Sequence, residues 1–163
     1  GLPGASYDQI IYSQRDARFT GGEVQIAQDV ARIGHGLIGI EAQYDIVHAT
    51  FTDGGFVPKI PPQRLGGGIY YRDANWTARL HLLHAFAQTH LGAFETPTPG
   101  FNLLNAEISH TTTLPNGPWP VALTVGLKGE NLLDADIRLH QSYKKDEVLQ
   151  PGRNLRLFAS MKF

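Results

Sequence analysis

Apolar and polar residues alternate along most of this chain with a period of two, the signature of strands whose two faces meet different surroundings. The segment 155–163 shows it most clearly. Leu155, Leu157, Ala159, Met161 and Phe163 share one face, while Arg156, Ser160 and Lys162 share the other with a single exception, Phe158. The same rhythm puts Ile38, Ile40, Ala42, Tyr44 and Ile46 opposite Gly39, Glu41, Gln43 and Asp45. Three polar side chains in a row describe a wet face, not the inside of a packed core.

Further strands are expected at 7–31, 37–50, 63–72, 76–89, 101–113 and 121–129. The connections between them have two sizes. Glycine-rich Arg32-Ile33-Gly34-His35-Gly36, polar Arg72-Asp73-Ala74-Asn75 and Leu114-Pro115-Asn116-Gly117-Pro118 are short turns. The connections near 51–62, 90–100 and 130–152 are long. Short links on one side and long ones on the other suit an antiparallel up-and-down meander of about seven or eight strands, as in membrane barrels. Gly66, Gly67 and Gly68 interrupt the third strand, so a bulge or a close approach by another part of the chain is expected there.

Composition narrows the classes. The chain has 163 residues, enough for one core, and a formal charge of −1, so it carries no electrostatic footprint for nucleic acid. It has no cysteine for disulfide or thiolate chemistry. Charged residues make up 18%, below the roughly 25% of ordinary soluble domains. No stretch is apolar for the ~20 residues of a helical span, but barrel strands need only about 9–11 residues, apolar on one face. The opening Gly1-Leu2-Pro3, without Met, reads as an excised or processed piece.

Four local runs carry a family resemblance covering nearly the whole of residues 1–163. They are Ala17-Arg18-Phe19-Thr20-Gly21-Gly22-Glu23-Val24, Ile60-Pro61-Pro62-Gln63-Arg64-Leu65-Gly66-Gly67-Gly68, Lys128-Gly129-Glu130-Asn131-Leu132-Leu133-Asp134, and Pro151-Gly152-Arg153-Asn154 leading into the strand that ends at Phe163. In this order they resemble the C-terminal barrel portion of TonB-dependent outer-membrane receptors. The resemblance implies a parent barrel of about 22 strands around a plug, in the bacterial outer membrane, importing a scarce nutrient. It implies as partners the membrane lipid, an inner-membrane TonB-type energy-coupling complex reached through the N-terminal part, and the barrel-assembly machinery, which would read Phe163. Plug and remaining strands are absent from this chain, which alone would close into a smaller barrel or pair its open edges with another copy. His140-Gln141-Ser142-Tyr143-Lys144-Lys145-Asp146 looks most like the branch handling zinc and related metals; siderophore and haem receptors share the same barrel. The competing reading is a free-standing binding barrel, lipocalin-like or an eight-stranded outer-membrane protein.

Seven histidines invite a metal reading. His81 and His84 are three apart, which on a strand puts them on opposite faces, so they do not chelate together. Better placed are His90 with Glu95 in one long loop, His140 with Asp134 or Asp136 in another, and His48 near a strand end, as substrate or metal ligands. Solvated loop polars are the plainer account. Glu23, Glu41, Asp45, Arg79, Glu107 and Lys128 fall on the wet face, where a polar barrel interior is the ordinary reason for them. Trp76, Tyr44, Tyr70, Tyr71 and Trp119 suit interfacial girdles. Asn131 and Asp134 suit turn chemistry. No cofactor is implied, and no serine stands in a nucleophile context, so no enzymatic activity is expected.

Overall fold

The computed structural model describes residues 14–115 and 121–163. Among them the chain forms seven strands and no helix: β1 (Ala17–Ile33), β2 (Gly36–Phe51), β3 (Arg64–Arg72), β4 (Trp76–Ala85), β5 (Phe101–Leu114), β6 (Val121–Glu130) and β7 (Asn154–Lys162). They lie in sequence order in one antiparallel sheet, each paired with its chain neighbours. The all-β meander expected from the alternation is therefore the fold. Among the described residues the sheet is not closed: β1 pairs only with β2, and β7 only with β6.

Closure on itself, one of the expected fates of this chain, is thus not what the structure shows, and strand parity gives a physical reason. In a meander of seven strands the first and last run in the same direction. Joining β7 to β1 would need a parallel pair at the seam of an antiparallel sheet, with slanted and weaker hydrogen bonds.

Turn chemistry sets the register on one side of the sheet. Gly34 and His35 alone link β1 to β2, with Ile33 paired to Gly36 and Gly34 at φ 60°, the first central position of a II′-type hairpin. Between β3 and β4, the Asp73 carboxylate accepts the backbone N–H groups of Asn75 and Trp76 at 2.8 and 2.7 Å. The third turn and Trp119 lie outside the described residues, as does the expected first strand before residue 14; residues 14–16, expected within that strand, precede β1, which begins at Ala17.

The other side carries the long loops, 52–63, 86–100 and 131–153. Here the fourth strand ends earlier than expected, at Ala85 rather than residue 89. Its partner β3 is preceded by Pro61 and Pro62, which have no N–H to donate, so Arg64↔Ala85 is the last ladder pair. Beyond it the chain bends into a loop of its own, held by a bridge between Gln88 and Thr98.

The two faces differ as the alternation predicts. Val24, Ile26, Ile40, Leu65, Ile69, Leu80, Leu82, Ile108, Leu127 and Leu157 are all exposed on one side. Leu157 retains 79% of its surface. Few large side chains are buried, and the buried apolar residues are small or sit under the loops: Ala49, Ala85, Val121 and Ile137. Among the described residues this sheet has an uncovered apolar face and a polar face, with no second layer.

Candidate functional site

The polar face is a lattice of charges laid across glycines. Glu41 on β2 accepts a hydrogen bond from Arg79 Nε on β4 at 2.7 Å, two strands away. That span is about 9–10 Å of sheet. The side chains meet over Gly68 of β3, where a Cβ would lie 2.7 Å from Glu41 Oε1. Gly66 similarly lies under Gln43 and His81. Neither ladder of β3 is irregular, so the glycine triplet marks close approach and not a bulge. Tyr70 repeats the device: it crosses Gly39 of β2 and donates to Asp29 Oδ1 on β1 at 2.7 Å. Phe158, the odd residue in the β7 pattern, lies over Gly126 of β6.

The remaining wet-face candidates fall into the same lattice. Asp45 accepts two bonds from Arg64 Nε, at 2.9 and 3.1 Å. Glu107 stands in register between Arg79 and Lys128. Lys128 meets Glu130 at 2.9 Å, and Arg156 approaches the same carboxylate at 3.5 Å. Glu23 directly faces Asp45, a like charge, and receives Gln25 Nε2 at 2.7 Å on the open β1 edge. His81 lies on this face, 4.0 Å from Glu41. His84 points to the apolar side, where its Nδ1 pairs with Asn102 Oδ1 at 2.8 Å near the loop ends of β4 and β5. The two histidines are on opposite faces, as their spacing requires.

The long loops bring together residues that the sequence kept apart. His90 does not meet Glu95; it packs against Phe56, ring centres 4.9 Å apart, and edge-on to His48 at 5.7 Å. Asp134 does not meet His140; its Oδ1 accepts the Arg153 backbone N–H at 2.8 Å. Asn131, left-handed at φ 49°, binds Ala135 through both its amide ends and so does the turn chemistry expected of it, whereas the Asp134 carboxylate reaches across the loop and not to a neighbouring N–H. Asp136 is exposed. Instead Glu95 and His140, from different loops, face each other with Glu95 Oε2 and His140 Nε2 3.6 Å apart. Among the described residues, no three His, Cys, Asp or Glu side chains gather as a metal ligand set.

The Glu95–His140 pair is the centre of a buried network. Glu95 accepts the backbone N–H groups of Lys59 at 2.8 Å and Gly92 at 2.9 Å, with Lys59 Nζ 3.7 Å away. Burial alone would raise this carboxyl; the two N–H donors and the neighbouring positive charge outweigh it and hold it below the ordinary range. His140, 1% exposed, faces Thr98 Oγ1 at 3.0 Å and Lys145 Nζ at 3.4 Å through Nδ1. An ammonium only donates, so Nδ1 is the acceptor and the proton sits on Nε2, towards Glu95. Burial first, and the Lys145 charge next, hold the imidazole below its usual value against the pull of Glu95. Lys145 also donates to the Thr96 carbonyl, and Arg138 to the Lys145 carbonyl at 2.7 Å. Three loops are thus tied by Lys59, Glu95, His140 and Lys145. Contacts of Lys59 and Lys145 across loops are long-range facts that no local pattern in the sequence signals.

Beneath this network, against the polar face, lies a cavity of about 370 Å³. No protein-family model matches the chain.

Proposed function

We propose that this chain is part of the barrel wall of a TonB-dependent outer-membrane receptor. In this reading the apolar face touches the hydrocarbon of the bacterial outer membrane and the charged face borders the lumen. The long loops lie outside, and the whole receptor imports a scarce nutrient, a metal, siderophore or haem complex, driven by the inner-membrane coupling complex.

The observation that carries the reading is the combination of an exposed apolar face with an ion-paired opposite face in a one-layer sheet. A soluble protein rarely leaves so much contiguous apolar surface uncovered. A membrane barrel requires it, with the alternation apolar-out and polar-in. Strand lengths agree: β3, β4, β6 and β7 have 9 or 10 residues, the length that crosses a bilayer when tilted. Trp76 and His110, with ring centres 4.6 Å apart and planes tilted by 59° beside the short turns, suit a headgroup-level girdle. The open edges of β1 and β7 supply places for the neighbouring strands of a wider barrel. A free-standing closed binding barrel lacks that support, because the sheet is open.

The test is fractionation of cells producing the full-length parent protein. It is expected in the outer membrane, with the loop 131–153 cut by protease added to whole cells. Loss of the gene and loss of the coupling complex are expected to abolish uptake of the same nutrient. Recovery of the parent in the soluble periplasm would end the reading.

A further inference from the structure

We infer that the cavity under the 131–153 loop is a binding site for a small organic acid: an apolar body bearing one anionic group. The argument starts from a break in the polar face. Leu83, Phe101 and Leu103 occupy inward positions of β4 and β5 where the alternation elsewhere places charge, and Leu83 is paired directly with Leu103. They form an apolar island on an otherwise charged surface. Pro61, Ile137 and Leu139 overhang it from the loops and leave the cavity of about 370 Å³ between. Ligand pockets of this size are typically apolar with a few fixed polar groups.

The charges at the rim decide the sign of the ligand. Arg64 is matched by Asp45, and Glu130 by Lys128 and Arg156. Arg138 also lines the cavity, and among the described residues no carboxylate lies within ion-pair distance of it. One of its terminal nitrogens is committed to the Lys145 carbonyl, which fixes the side chain and leaves the other donors of the guanidinium available. A planar fork held in place beside an apolar pocket is suited to a carboxylate or similar anion. The buried Glu95–His140 network beside it holds that wall of the cavity in place.

The site rests on the receptor reading only in its placement inside a barrel; the cavity itself belongs to the chain. The experiment is calorimetric titration of the chain, folded in detergent micelles, with 1-naphthoate and with its neutral counterpart 1-naphthamide, each against empty micelles. Naphthoate is expected to bind. Arg138→Gln is expected to weaken it by about tenfold or more, as loss of a charge-assisted bond does, and to leave naphthamide unchanged. Arg138→Lys restores the charge and is expected to recover most of the difference, which a folding defect would not. Leu103→Asn is expected to weaken both ligands. Naphthoate binding equal in wild type and Arg138→Gln, or no heat above empty micelles, would overturn the inference. If the chain proves soluble without detergent, the receptor reading fails while the same titration in buffer still reads the cavity.

Discussion

At the scale of single residues, this sheet is governed by which side chains are allowed to lie flat. An arginine and a glutamate on strands two apart can meet only if the strand between them carries no Cβ at the crossing. Gly68 supplies that gap for Glu41 and Arg79, and Gly39 supplies it for Tyr70 and Asp29. Gly67, next to Gly68 in sequence, faces the apolar side, where the nearest atom to an added Cβ is the Glu41 carbonyl at 3.5 Å. The consequence is a contrast between neighbours. Gly68→Val is expected to displace Glu41, break its bond with Arg79 and destabilise the sheet by about 1–3 kcal/mol. Gly67→Val is expected to be neutral or mildly stabilising, as a β-branched residue on a pleated surface. Denaturant midpoints of both variants in the same detergent check this; equal midpoints would mean that the crossing contributes nothing.

At the scale of elements, strands and loops were unequally legible in the sequence. The expected bounds of β2, β3, β5, β6 and β7 agree with the structure to within one residue, because alternation and turn residues are local signals, while the start of β1 and the end of β4 depart from expectation. The exception at Ala85 came from the neighbouring strand, whose Pro61 and Pro62 withdraw the ladder partners that β4 would need. Loop contacts were misread for the same reason in reverse. Glu95 was matched with His90 because they are near in sequence, whereas the fold pairs it with His140, and only the packing of three loops decides that. This network makes the loops one acid-sensitive element. His140 is held below its ordinary value near 6.5, so its neutral form is the one the fold favours. Stability from it is complete above that value and is lost as pH falls through it. The Glu95 contribution, also from a lowered value, persists until pH falls through the carboxylate range. Backbone exchange in 86–100 and 131–153 is therefore expected to speed up together below about pH 6.5, with a second increase below about pH 4.5, while β3–β5 stay protected. Glu95→Ala would leave the backbone N–H groups of Lys59 and Gly92 without their acceptor and the Lys59 ammonium without its carboxylate, and is expected to cost about 1–3 kcal/mol and loosen both loops at neutral pH. Exchange that changes in one loop alone would show that the network does not couple them.

At the scale of the whole molecule, parity constrains assembly. Two copies inserted in a membrane with the same orientation would bring β7 of one against β1 of the other running the same way, so edge pairing between copies meets the same parallel seam as self-closure. An antiparallel join at both edges needs an odd number of further strands, which brings the total to the even count of bacterial single-chain barrels. In a membrane that receives every copy the same way round, the chain is therefore expected to be a monomer with two reactive edges. Outward-facing amides of β1 and β7 should exchange far faster than those of β3, β4 and β5, which are paired on both sides. The length of β1, 17 residues with nearly every side chain exposed, makes it the first element to fray. A dimer found by cross-linking copies in that membrane, together with strong protection along β1 and β7, would show that the edges do pair and that a parallel seam is tolerated.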